Sequence, residues 1–161
     1  MKILQGIEEE IAYKLILQAA EIGKNATCKR AKGGSIIVKD GEIIGTGYNS
    51  PANNLESQRR CHIPKDSYHK KVTDKTCCVH AEQRAIMDAL KNNPQKLHGS
   101  RIYYIRLDGE ANLMKASSPY CTICSKMALD VGITEFVLYD EKGIICYNTQ
   151  EYNQISYLYN N

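Results

Sequence analysis

Apolar residues recur near the helical period at the start of the chain, at Ile7, Ile11, Leu15, Ala19 and Ile22, with Gly23 directly after them. That spacing predicts an amphipathic helix with those residues on its apolar side and a stop at the glycine. A β-rich stretch follows. Ser35-Ile36-Ile37-Val38, Asp40-Gly41 and Glu42-Ile43-Ile44-Gly45 read as strand, tight turn and strand, a β-hairpin. From Gly47-Tyr48-Asn49-Ser50-Pro51 to Thr76 no period survives, and a loop this long is usually functional or locally organised. Ala81, Ala85, Ala89 and Leu90 restore helical spacing up to Asn92-Asn93-Pro94. Arg101 to Leu107 reads as a third strand. Pro119 opens a helix with Cys121, Cys124, Ala128 and Val131 roughly on one side and Gly132 as its stop. Ile133 to Tyr139 is a fourth strand, and the tyrosine-rich stretch from Tyr147 to Asn161 is compatible with a final helix. The order αββαβαβ predicts one α/β domain over residues 1–161, with a sheet sandwiched by helices.

Composition changes this picture in two ways. The formal net charge of +3 is too small to argue for a nucleic-acid partner, but its distribution is uneven. Lys24, Lys29, Arg30, Lys32, Arg59, Arg60, Lys65, Lys70, Lys71 and Lys75 all fall in the first half. A solvated basic face is the ordinary meaning of such a bias, and a site that handles phosphate is the sharper one. The longest greasy region, Ile11 to Ala20, is broken by Lys14 and Gln18, so no membrane span is expected. No signal-peptide pattern opens the chain, which points to the cytoplasm, a reducing compartment. There the seven cysteines are expected as metal ligands or core thiols rather than disulfides. Cys146, inside an apolar run, is expected in the core.

The candidate chemistry lies in two short stretches. Val79-His80-Ala81-Glu82 offers an imidazole and, two residues on, a carboxylate. Pro119-Tyr120-Cys121-Thr122-Ile123-Cys124 offers two thiols three residues apart, which a helical turn places on one face. A single C-x-x-C also fits a redox pair or two core thiols. Joined to His80, it makes a three-ligand zinc site with the fourth position open. Residues two apart point to different sides of an ideal helix. His80 and Glu82 therefore serve one pocket only if the motif sits at the very start of its helix, with the metal over the end.

These stretches resemble the zinc-dependent cytidine and deoxycytidylate (dCMP) deaminase superfamily, dCMP deaminases most closely. Thr27 to Gly41, followed by Ile44-Gly45-Thr46-Gly47-Tyr48-Asn49-Ser50-Pro51, is similar to the first third of deoxycytidylate deaminases. The resemblance implies a three-layer α/β/α cytidine-deaminase-like domain with a central mixed sheet. It implies zinc held by His80, Cys121 and Cys124, and Glu82 as the proton carrier for hydrolytic deamination of a cytosine nucleotide, dCMP first. It implies substrate contacts from Asn49 and the Ala81 backbone, and a homo-oligomer. Other aminated substrates remain as alternatives: cytidine, guanine, a riboflavin precursor or adenosine in tRNA, as does a non-catalytic zinc module that binds nucleotides. A nucleic-acid partner ranks below a free nucleotide. Some relatives carry a second, structural zinc, which here implies Cys28 and Cys61, with the remaining ligands among His62, His69, Cys77 and Cys78, the two cysteines foremost. Two positions depart from the family. Tyr120 separates Pro119 from Cys121, and Arg84 stands where an Asn is common, facing either a phosphate or solvent.

Overall fold

The computed structural model describes residues 1–116 and 118–159. Its centre is a mixed sheet in the order β1-β9-β8-β6-β2-β3. The strands are β1 (Lys2–Ile3), β2 (Lys32–Lys39), β3 (Glu42–Tyr48), β6 (Arg101–Leu107), β8 (Glu135–Asp140) and β9 (Gly143–Asn148). A short β7 (Leu113–Met114) pairs with the end of β6. Off this sheet, β4 (Ser50–Pro51) and β5 (Cys78–Val79) pair with each other. Four helices complete the fold: α1 (Gly6–Gly23), α2 (Ala81–Asn92), α3 (Thr122–Asp130) and α4 (Thr149–Tyr157). The β6–β8 pair is parallel and the other pairs of the main sheet are antiparallel.

Alternation along the strands builds two cores, one on each side of the sheet. Ile36 and Val38, Tyr103 and Ile105, and Val137 pack with Ala12, Ile16, Ala19 and Ala20 of α1. Ile37, Ile102, Phe136 and Leu138 pack with Ala85, Ile86 and Ala89 of α2, Ala128 of α3 and Tyr152 of α4. This is the expected three-layer arrangement. Asp40 (φ 50°) and Gly41 (φ 80°) make the β2–β3 turn, both left-handed as a tight hairpin requires.

The expected elements were found with specific corrections. The first helix has the expected extent and a different face. Ile7 is 77% exposed and Ile11 54%, while Ala12, Ile16, Ala19, Ala20 and Gly23 are buried. The sheet-facing side is lined by small residues because α1 lies almost in contact with the β2 backbone. A Cβ on Gly34 would lie 1.9 Å from the Ala19 carbonyl oxygen. Leu90 of α2 is likewise exposed. Pro119 lies outside α3, which starts at Thr122 because Cys121 caps it. The final helix is present as α4, and Asn160 and Asn161 lie outside the described residues. β1, β5, β7 and β9 had no forecast. Cys146 is buried on β9, a core residue as expected. Among the described residues no helix is long and apolar enough to cross a membrane.

Candidate active site

Two helix N-termini converge on one cavity. His80 is the N-cap of α2 and Cys121 the N-cap of α3. The first turn of a helix carries backbone N–H groups without intrahelical partners and the positive end of the helix dipole, which favours anionic groups. The Cys124 N–H donates to the Cys121 sulfur at 3.3 Å, so one of these orphan donors supports a thiolate. At α2 the His80 N–H donates to Gln83 Oε1 at 2.9 Å, which holds the imidazole-bearing residue at the helix start. Gln83 was not singled out from the sequence, although its position three residues after the cap follows capping-box spacing.

β3 sets where α2 starts. Gly45 and Gly47 face the helix so closely that a Cβ would lie 2.4 Å from the Ala85 oxygen and 2.2 Å from the Ala81 oxygen, respectively. The β4–β5 pair aligns Ser50 with Val79, placing His80 beside the segment that carries Asn49.

The donor atoms meet as the spacing requires. His80 Nδ1 lies 3.3 Å from the Cys121 sulfur and 3.4 Å from that of Cys124, and the two sulfurs are 2.7 Å apart. Donors on one tetrahedral zinc stand roughly 3.5–3.8 Å apart. The two imidazole–sulfur edges come within about 0.2 Å of that range, and the sulfur–sulfur edge is shorter than it by about 1 Å. The set of one imidazole and two thiols suits zinc and leaves a fourth position. Hydrogen bonding with Cys124 and His80 holds the Cys121 thiol down at about 5, and burial pushes Cys124 up. Hydrogen bonding with Cys121 raises His80 to about 9 despite burial.

Glu82 is 3% exposed and lines the same cavity. Burial pushes its carboxyl up to about 7, and it hydrogen-bonds with Cys124. The cavity holds about 210 Å³. Ala81, Asn49, Tyr104 and Tyr120 contribute to its wall. Asn49 Oδ1 accepts from the Gly33 N–H at 2.8 Å and Nδ2 donates to the Ala31 oxygen at 2.7 Å. Its amide therefore ties β2 to the segment after β3 and keeps one N–H and one lone pair. Tyr120 reaches the cavity and its ring lies 5.8 Å from that of Tyr159.

Arg84 is half-buried rather than turned freely to solvent. Its guanidinium donates to the Pro51 oxygen at 2.8 Å and to Asn54 Oδ1 at 3.2 Å, and lies over the Tyr48 ring. It braces the turn after β4, away from the cavity wall.

A second group of thiols stands beside the first. Donor atoms of Cys28, Cys61 and Cys78 lie within 4.8 Å of one another. Cys77 is 3.4 Å from Cys61 and 3.9 Å from Cys78, sulfur to sulfur. His62 and His69 are exposed and outside the group. Burial works to raise the Cys61 thiol, but the Lys29 backbone, Cys77 and Arg59 outweigh it and hold Cys61 down at about 7. Three thiols share one mutual range and Cys77 stands beside two of them, a donor set of the kind that holds structural zinc.

An α/β/α layered fold with a His-Cys-Cys donor set and a buried carboxylate over two helix N-termini defines a zinc-type hydrolase site. A family profile describing the cytidine and deoxycytidylate deaminase zinc-binding region matches residues 9–140, and the chain belongs to that family. It is 26% identical over 149 residues to the deoxycytidylate deaminase of Saccharomyces cerevisiae, a match covering 85% of this chain and 42% of that protein. The chain thus spans about two fifths of the length of that relative. Among solved structures it is similar to dCMP deaminase from the cyanophage S-TIM5 in complex with dCMP and dUMP, with TM-score 0.57, 23% identity and coverage of 81% and 82% of the two chains. Cytidine deaminase from Burkholderia pseudomallei gives TM-score 0.56 and 18% identity, with coverage of 87% and 94%.

Proposed function

We propose that this chain is a hydrolytic deaminase of a cytosine nucleotide, converting dCMP and water to dUMP and ammonia. One observation carries the reading: the buried Glu82 carboxyl shares a cavity wall with His80, whose Nδ1 lies 3.3 Å and 3.4 Å from the Cys121 and Cys124 sulfurs. Burying a carboxyl is costly, and a purely structural zinc site has no use for one. The yeast relative's name supports the choice of deoxycytidylate.

Zinc held by His80, Cys121 and Cys124 would supply Lewis acidity and activate water for attack on the amino-bearing carbon. The chain's own residues do the rest. Glu82 takes up a proton at its carboxylate, returns it to the ring nitrogen of the base and assists ammonia's departure. Its position beside the donor triangle keeps that proton out of bulk water. The Ala81 N–H, in the first turn of α2, has no intrahelical acceptor and donates to the base. Asn49 offers its remaining N–H and lone pair to the sugar.

The proposal extends to a second, structural zinc at Cys28, Cys61, Cys77 and Cys78, and to a homo-oligomer in the cytoplasm. Tyr157 and Leu158 remain exposed and support the oligomer, which sedimentation reads. The test of the central claim is ammonia release over dCMP, deoxycytidine, cytidine, guanine and a tRNA substrate. dCMP is expected to give the highest kcat/KM, and a higher value for guanine or tRNA would overturn the cytosine-nucleotide reading.

A further inference from the structure

One residue beside the zinc donors takes no part in the chemistry described so far. Tyr120 stands between Pro119 and Cys121, where the chain departs from the pattern it resembles. It is 45% exposed, yet it lines the cavity together with Tyr104 and Glu82. Burial pushes its hydroxyl up to about 12, and the Glu82 carboxylate adds to the rise. The side chain therefore reaches inward from the surface, with its hydroxyl end enclosed near Glu82. Two aromatic neighbours set that placement. The Tyr159 ring lies 5.8 Å from the Tyr120 ring, tilted by 53°. The Tyr104 hydroxyl, on the cavity side, hydrogen-bonds with that of Tyr120. Tyr104 belongs to β6 and is seated on β2. A Cβ on Gly33 would lie 2.9 Å from Tyr104 Cε2 and 3.1 Å from its hydroxyl oxygen, so the glycine leaves room for the ring. Gly33 also donates its N–H to Asn49 Oδ1. One residue of β2 thus seats both Tyr104 and Asn49 in the cavity wall.

Two hydroxyls joined by one hydrogen bond use one proton and one lone pair between them, so the pair keeps a proton to donate. In the reaction proposed above, the amino-bearing carbon of the base receives water and the ring nitrogen receives the Glu82 proton. The acceptor left on a cytosine ring is its carbonyl oxygen. That oxygen has two lone pairs, enough for a hydroxyl as well as the Ala81 N–H. We propose that Tyr120 is a specificity-determining residue for the base, its hydroxyl donating to the ring carbonyl while Tyr104 and Tyr159 hold it in place. This rests on the reading of the cavity as the substrate site. It gives the residue between Pro119 and Cys121 a function distinct from metal binding: it reads the edge of the base beside the reacting carbon, and Tyr104 acts through it as a positioning residue.

The test compares the wild-type holoenzyme with Y120F and Y104F, and with Y13F on α1 as control. Each change removes a hydroxyl and keeps the ring. The readout is the ratio of kcat/KM for dCMP to that for its 2-thio analogue, whose ring sulfur is a weak acceptor. Wild type is expected to favour the oxygen. Y120F is expected to lower the ratio by about tenfold, the worth of one hydrogen bond. Y104F lowers it less and in the same direction, and Y13F leaves it unchanged. A merely structural role for Tyr120 would slow both substrates alike and leave the ratio where it was. An unchanged ratio in folded, zinc-loaded Y120F would therefore overturn the proposal. Calorimetry of dUMP, which carries the same ring carbonyl, gives a readout independent of turnover. Binding weakened about tenfold in Y120F supports the contact, and unchanged binding refutes it. Should no substrate release ammonia, the deaminase reading fails while this measurement still decides the role of Tyr120.

Discussion

Gly47→Ala probes how the sheet positions the chemistry. The added Cβ would stand 2.2 Å from the Ala81 oxygen, 2.5 Å from the Ala85 nitrogen and 2.8 Å from Arg84 Cβ. Ordinary contact begins at 3.4 Å, so the strand and the first turn of α2 must part by about 1 Å. Two of the obstructing atoms are backbone, and no side-chain rotation relieves them. Overpacking of this kind costs about 1–3 kcal/mol. At roughly 2–4 °C per kcal/mol for a chain of this size, Tm should fall by several degrees. The same shift carries Ala81 and Glu82 off the donor triangle, and a 1 Å misplacement can cost about 10²-fold in rate. The assay is thermal unfolding followed by circular dichroism, alongside ammonia release and zinc content. Gly109→Ala is the matched control, because a Cβ there meets nothing within 4 Å. If Gly47→Ala keeps both the Tm and the turnover of the control, β3 does not set the helix position and the argument from close approach is wrong.

Further outcomes follow from the same geometry. Glu82→Gln should retain zinc and lose about 10²–10⁴-fold in turnover; a rate near wild type removes the carboxylate from the mechanism. Cys124→Ser should abolish tight zinc binding along with activity, read by metal analysis of purified protein. Cys61→Ser should lower the zinc content from two to one per chain and expose the 55–76 segment to limited proteolysis; a wild-type content of one would dismiss the second site. Arg84→Met removes the donors to Pro51 and Asn54, and should destabilise by about 1–3 kcal/mol; an unchanged Tm would mean that the brace contributes nothing.

What could be read from the chain follows the range of the forces involved. The helix-start position of His80 was legible because a two-residue offset between imidazole and carboxylate admits few geometries, and the structure adopts that one. The β2–β3 hairpin was legible because Asp40-Gly41 encodes its turn locally. The buried face of α1 was not. Ile7 and Ile11 outrank Ala12 and Ala19 in apolar size, but the close approach to Gly34 admits only small residues beneath the helix. β9 was missed because Ile144, Ile145 and Cys146 form too short a run to declare a strand without the β8 partner that pairs with it. The role of Arg84 depended on carbonyls more than thirty positions away, which no local pattern carries.

The same distinction separates the donor site from the loop that forms the cavity's outer wall. The zinc donors are fixed by two capped helices packed on a continuous core, so their placement rests on hydrophobic burial. Arg60, Lys65 and Lys75, which line the cavity, rest on a segment that supplies no residue to either core, and Leu55 and Val72 within it remain exposed. That segment is held by directional contacts instead. Arg30 donates to the Cys61 and Ile63 carbonyls, Arg59 donates to the Thr27 oxygen at 2.8 Å, and Cys61 meets Cys77. Arg60 neighbours Cys61, and Lys75 lies two residues before Cys77. Disturbing the thiol cluster should therefore loosen this segment before it disturbs the donor site, so limited proteolysis within it should speed up while the protein keeps its Tm and the zinc held by His80, Cys121 and Cys124. The aperiodic stretch lacked a hydrophobic pattern because its order comes from these polar and thiol contacts.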